Sequence, residues 1–234
     1  MNRDEYLSTH LPAELKDPAI GQIVNELDID EFEVVYKRIF DGIMKIHKAD
    51  VSDTSGYGEF TTDGRLPYQS FKEFIVETFN ETREGYWKNW KVLFDGPLLD
   101  RDFFNTYYEK MLHYSDFCEG KRYLTNGYVY FEYMTITPET VGFMAWDRAG
   151  VYDWMIDFVT FDGNKPYLHI PEKLFAYLKE KEIFVPDFRE RFLCIAFFRG
   201  IDSLRWHASI DDEDSCRSIM THLSTLEERI LNLK

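Results

Sequence analysis

Apolar residues recur at helical spacing through most of this chain. Phe32, Val35, Ile39, Ile43 and Ile46 fall on one face between residues 30 and 47, which predicts an amphipathic helix. Phe71 and Phe74 open a predicted helix over 70–79, introduced by Ser70 with Glu73 at the spacing of a capping box. Tyr86, Trp87, Trp90 and Phe94 predict a helical stretch over 84–94 that Asp95-Gly96-Pro97 stops. An aromatic stripe of Phe103, Phe104, Tyr107, Met111 and Tyr114 predicts a helix over 100–117. Downstream, 152–161, 171–181, 187–209 and 215–231 read as helices, the second with Pro171 in its first turn. Residues 1–28 are mixed, broken by Pro12 and Pro18, with one or two helical turns expected between 14 and 27.

The period changes between 122 and 153. Val129, Phe131 and Tyr133 alternate with Tyr130, Glu132 and Met134, and Val141, Phe143 and Ala145 alternate with Gly142, Met144 and Trp146. Thr137-Pro138-Glu139-Thr140 separates the two runs. A short hairpin within 124–146, turning near Pro138, is therefore expected inside a mainly α chain. Asp147 or Asp153 would cap the helix that follows.

The chain has 234 residues, 44% of them hydrophobic and 17% aromatic, enough to bury a substantial core. Its formal net charge of -15 disfavours nucleic acid and anionic membrane as partners and permits a cationic ligand or a basic protein, though on charge alone a simply acidic cytosolic protein is the first expectation. Cys118, Cys194 and Cys216 are far apart with no C-x-x-C, so free buried thiols are expected. The amino-terminal residues lack the apolar run of a signal peptide, and no segment approaches the length of a membrane span. A cytoplasmic location is expected. No G-x-G-x-x-G, G-x-x-x-x-G-K-[ST], G-x-S-x-G or H-E-x-x-H occurs.

The layout of 122–153 resembles the catalytic segment of the aminoglycoside phosphotransferases, close to the hygromycin-type branch. That family places an H-(G/A)-D loop before a hairpin and an I-D-W on the second strand. Here the loop slot reads Asn126-Gly127-Tyr128, the metal-binding Asn falls on Tyr133, and I-D-W becomes Met144-Ala145-Trp146. Asp153 matches an Asp that helps hold the segment in place, a structural role. The run Ala49-Asp50-Val51-Ser52-Asp53-Thr54-Ser55-Gly56-Tyr57-Gly58 and the stretch 198–209 resemble two further parts of the family. Gly56 and Gly58 serve either to shape a turn or to approach a ligand.

The resemblance implies a protein-kinase-like, aminoglycoside phosphotransferase C-terminal lobe lacking the strand-rich N-terminal lobe. It would form a single helical domain over 1–234, with 1–28 as an extension and 29–234 as the lobe. Phosphoryl transfer requires a carboxylate to take the substrate's proton and an Asn and Asp to hold metal ions. A tyrosine phenol, with a reference pKa of about 10, is no carboxylate base, and alanine ligates nothing. Asn126, Tyr128, Tyr133 and Ala145 are thus degenerate positions, and no catalytic residue, metal or cofactor is expected. The resemblance points to an inactive binding or interaction module for a cationic small molecule or a protein partner. Tyr128, Tyr130, Glu132, Tyr133 and Asp147 are its candidate ligand residues. The face a missing lobe would cover offers itself to a protein or to self-association. The alternative is an active, ATP-dependent, antibiotic-type small-molecule kinase, completed by a separate nucleotide-binding lobe or by a rearranged metal site using Asp147. A further alternative is an interaction protein whose acidic face matters more than any cleft. The tyrosines either recognise a ligand or fill a vacated polar site.

Overall fold

The computed structural model describes residues 2–12, 15, 21–127 and 129–234. Its helices are α1 (Arg3–His10), α2 (Ile29–Ile46), α3 (Phe71–Thr78), α4 (Arg101–Tyr114), α5 (Met155–Asn164), α6 (Ile170–Glu180), α7 (Phe188–Ser209) and α8 (Glu213–Leu231). Its strands are β1 (Gln22–Ile23), β2 (Gly58–Glu59), β3 (Tyr123–Thr125), β4 (Met134–Ile136), β5 (Val141–Phe143) and β6 (Gly150–Tyr152). The chain divides into two compact units, Met1–Gln69 with Gly120–Phe184, and Ser70–Glu119 with Val185–Lys234.

In the first unit the expected hairpin forms. β4 and β5 pair antiparallel from Met134↔Phe143 to Ile136↔Val141, and Thr137 N–H donates to Thr140 O at 2.9 Å across the turn. The Thr137 hydroxyl also accepts from Glu139 and Thr140 N–H, so the turn residues satisfy their own backbone. β1 extends this sheet on the β4 side. A second antiparallel sheet, β2-β6-β3, joins segments far apart in sequence. α2 begins with a reciprocal capping box between Asp28 and Glu31 and buries Phe32, Ile39, Phe40, Ile43 and Ile46. Gly42 lets α2 approach β5, since a Cβ there would come within 3.1 Å of Val141 Cβ. α5 is buried on nearly every side, with Phe158 edge-on to Phe40 and Phe161 stacked on Phe131 at 4.3 Å.

Three expectations in this unit change. The run 129–133 is not a strand: Phe131–Tyr133 form a 3-10 turn, closed by Tyr133 N–H to Tyr130 O at 3.0 Å. Burial of Phe131 against Phe161 sets that turn, overriding the alternation. The helix expected from 152 starts at Met155, because Gly150–Tyr152 is drawn into the second sheet. α1 was not legible in the mixed composition of 1–28; it is capped by Asn2 with Glu5 and buries Tyr6 and Leu7. The turns expected between 14 and 27 lie largely outside the described residues, and Gln22–Glu26 is a short strand followed by a 3-10 turn.

The second unit is built on α7, whose buried residues include Phe192, Leu193, Ile195, Phe197, Ile201 and Leu204. Ser70 caps α3 by accepting Glu73 N–H, and the Glu119 carboxylate accepts the next amides of Phe71 and Lys72, at 3.3 and 2.9 Å. The helix expected over 84–94 is instead turns followed by a 3-10 helix, Trp90–Asp95, because Gly85 and Asn89 take positive φ of 122° and 60°. The helix expected to 117 ends at Tyr114 and continues as a 3-10 turn, Ser115–Cys118. Cys118, Cys194 and Cys216 are free and buried. Among the described residues no helix is long and apolar enough to cross a membrane.

One alkaline weakness is built into the first unit. Tyr177, on α6, donates its hydroxyl to Asp41 at 2.6 Å, and burial together with that carboxylate raises its pKa well above the ordinary 10.0. A tyrosine whose folded pKa is raised favours folding below its unfolded pKa, and that contribution is lost as the pH rises past it. Stability is therefore expected to fall above about pH 10. Urea midpoints for Tyr177→Phe should decline less steeply over that range; an unaltered decline would mean that other groups dominate.

Candidate functional site

The loop that follows β3 is held by one buried carboxylate. Asp157, in the first turn of α5, accepts Gly127 N–H at 2.8 Å on Oδ1 and Asn126 N–H at 3.2 Å on Oδ2. Its Oδ2 also accepts His47 Nε2–H at 2.9 Å, the direction a carboxylate acceptor requires. His47 is the last residue of the α2 cap, and the two side chains are 3% and 0% exposed. A buried charge with three donors is satisfied and rigid, where the same charge alone would be prohibitive. Gly127 sits at φ 75°, and a Cβ there would lie 2.4 Å from Arg148 O, so only glycine fits.

The sequence-derived candidates fall around this loop. Asn126 is fully buried. Tyr128 lies outside the described residues. Tyr130, Glu132 and Tyr133 share the 3-10 turn: Tyr130 is half-buried, Glu132 exposed, and Tyr133 38% exposed. The Tyr130 and Tyr133 rings meet edge to face, 6.3 Å apart at 89°, while Phe131 between them turns into the core. Met144 N–H donates to Tyr133 O at 2.8 Å, which brings Ala145 beside this turn. Ala145 carries a positive φ of 57° as the chain leaves β5. Asp147 is exposed, and its backbone carbonyl accepts from Arg3 Nη1 at 3.0 Å. Asp153 is fully buried and accepts Met155 N–H at 3.1 Å, which anchors the start of α5.

Asp157 and His47 escaped the sequence reading. A signal existed: Asp157 stands inside the apolar run Trp154-Met155-Ile156 and Phe158-Val159. A carboxylate in such a run is buried and must have partners. Nothing in the sequence named His47, 110 positions away, as one of them.

No family model matches the sequence, and no curated protein matches it either. Solved structures do match in fold. One of aminoglycoside phosphotransferase APH(4)-Ia superimposes with a TM-score of 0.75 at 17% identity, over 97% of this chain and 81% of that one. A thermostable mutant of the same enzyme, in a ternary complex with AMP-PNP and hygromycin B, gives 0.73 at 16% identity over 99% and 83%. A macrolide 2'-phosphotransferase type I gives 0.52 at 14% identity over 84% and 60%. The chain has the aminoglycoside phosphotransferase fold.

This chain keeps the expected frame, with loop, hairpin and following strand in that order. Its donor set does not fit the metal-bound nucleotide the fold implies. Ala145 presents a methyl group and Tyr133 a phenol beside the loop, neither of which replaces an Asp or Asn on magnesium. Glu132 and Asp147 are exposed on separate turns. Among the described residues no three His, Cys, Asp or Glu side chains gather at ligand spacing.

Proposed function

We propose that this protein uses the phosphotransferase fold to bind a cationic small molecule and not to transfer phosphate. The observation that carries the reading is the contrast within one loop. Asp157 and His47 hold its backbone in a defined conformation, while the positions beside it offer aromatic rings and a carboxylate instead of a base and metal ligands. The ring faces of Tyr130 and Tyr133, set at 89°, suit a cation, and Glu132 adds charge. The net charge of -15 supports the same ligand class. A related fold was captured with hygromycin B, which makes an aminoglycoside-type cation the natural first probe.

Calorimetric titration of the purified chain is expected to show binding of hygromycin B and none of ATP with magnesium. Tyr133→Ala should weaken the first by roughly 2- to 30-fold, as loss of a cation–π contact implies. Its melting temperature should barely move, because Tyr133 is 38% exposed. If the tyrosines only fill a vacated site, the substitution instead costs about 2–4 kcal/mol of stability and leaves affinity alone. Micromolar, magnesium-dependent ATP binding would replace this reading with that of an active kinase.

A further inference from the structure

An aromatic corner stands open on the second unit. Tyr86 and Trp87, on the turn after Gly85, meet Trp206 on the outer face of α7. Tyr86 and Trp87 lie 4.8 Å apart at 87°, Tyr86 and Trp206 5.7 Å at 40°, and Trp87 and Trp206 6.2 Å at 74°. Tyr86, Trp206 and neighbouring Ile210 are 67%, 45% and 50% exposed. Buried rings need no explanation, but two rings in solvent, with half-buried Trp87 and an exposed isoleucine beside them, form a patch that a partner usually covers.

The corner is held in shape. The Tyr86 hydroxyl donates to Ser209 Oγ at 3.3 Å, because the Ser209 hydroxyl proton is already committed to Trp206 O at 2.7 Å. Trp87 stacks on the Arg205 guanidinium, 3.9 Å from the ring centre, and Arg205 is buried. Rings fixed in place lose little entropy on binding, which is the property of a recognition surface.

The charge beside it selects the occupant. The turn after Ile210 reads Asp211-Asp212-Glu213-Asp214. Asp212 is engaged by His207 at 3.0 Å and Glu213 by Arg217 at 2.6 Å. Glu84, on the aromatic turn, is engaged by Lys88 at 2.6 Å. Asp211 and Asp214 are exposed and have no ion-pair partner among the described residues. Aromatic faces set at steep angles next to unneutralised carboxylates match a cation. A small ion would find no enclosure on so open a surface. A chain carrying apolar and basic side chains in succession can cover Ile210 and the rings while reaching the carboxylates.

We propose that Tyr86, Trp87, Trp206 and Ile210, with Asp211 and Asp214, form a docking surface for a flexible basic segment of another protein. The surface does not depend on the loop of the first unit or on the ligand proposed there. A fluorescein-labelled peptide of repeating Leu-Lys-Arg, titrated into the full chain and followed by anisotropy, tests it. Binding should saturate, weaken with salt, and be absent for a Leu-Glu-Asp repeat. Trp206→Ala, and separately Asp211→Asn with Asp214→Asn, should each raise Kd by roughly tenfold or more, about 1.4 kcal/mol. Tyr86→Ser, at the most exposed ring, gives the same readout should Trp206→Ala fold poorly. Equal affinity across these variants overturns the proposal. So does an affinity that follows Tyr133→Ala instead, which would place the peptide at the loop. A concentration-dependent dimer in sedimentation, lost in Trp206→Ala, would also overturn it and make the face a contact between copies.

Discussion

Asp157→Ala is expected to lower folding stability by about 3–5 kcal/mol, the cost of breaking a buried charged network by removing one member. The substitution strands His47 Nε2–H and the amides of Asn126 and Gly127, all donors to one carboxylate. Each buried donor left unmade costs about 1–3 kcal/mol, so the loss comes from the partners more than from the missing atoms. Against a typical total of about 5–15 kcal/mol, the variant would be marginal at ambient temperature. Asp157→Asn keeps the shape and one acceptor oxygen, and should recover part of the loss. Urea unfolding measures both. A His47→Ala and Asp157→Ala double-mutant cycle should show strong coupling, since the two share a bond of 2.9 Å. A loss below about 1 kcal/mol for Asp157→Ala would show that solvent or rearrangement satisfies the loop, and would remove its claim to be held rigid.

Arg205→Ala carries the second large effect, again about 3–5 kcal/mol. Arg205 is buried, pairs with Asp202 at 2.5 Å and donates to Thr78 O at 3.0 Å. Its guanidinium lies 3.9, 4.9 and 5.1 Å from the ring centres of Trp87, Phe79 and Trp90. Burial pulls its pKa down, and the Asp202 carboxylate opposes that shift. Removing the side chain leaves Asp202 without this partner and opens a cavity between aromatic walls. Arg205→Lys is not conservative here, because an ammonium neither stacks flat on Trp87 nor reaches both acceptors. Urea unfolding followed by tryptophan emission reads the loss directly. Arg205→Met distinguishes charge from packing: near-native stability in that variant would mean that filling the space between the rings is what matters.

Several elements were legible because their determinants are local. The apolar period of Phe32 to Ile46 predicts 30–47, and the helix runs Ile29–Ile46. The stretch 187–209 reads as a helix, and the helix runs Phe188–Ser209. Thr137-Pro138-Glu139-Thr140 marks a turn that its own hydroxyls stabilise. The resemblance at Asn126-Gly127 and Met144-Ala145-Trp146 anticipated the loop and hairpin frame because spacing along one strand–turn–strand is itself local.

Other features were decided only by the tertiary structure, for one physical reason. Their energies arise between residues that no period connects. Phe131 leaves the strand pattern because Phe161 offers it a stacked, buried place. Glu84 to Phe94 keep a helical spacing of aromatics, yet Gly85 and Asn89 turn the chain so that Trp90 goes inward and Tyr86 outward. β2, β3 and β6 are too short to announce themselves, and pairing with one another makes them strands. His47 and Asp157 mean little alone; at 2.9 Å, in a setting that excludes water, they hold the loop. The sequence by itself determined which faces are apolar and where several helices and the hairpin turn fall. The tertiary structure decided which buried polar groups satisfy one another and which aromatic residues remain in solvent, because desolvation and long-range packing act only once the chain has closed.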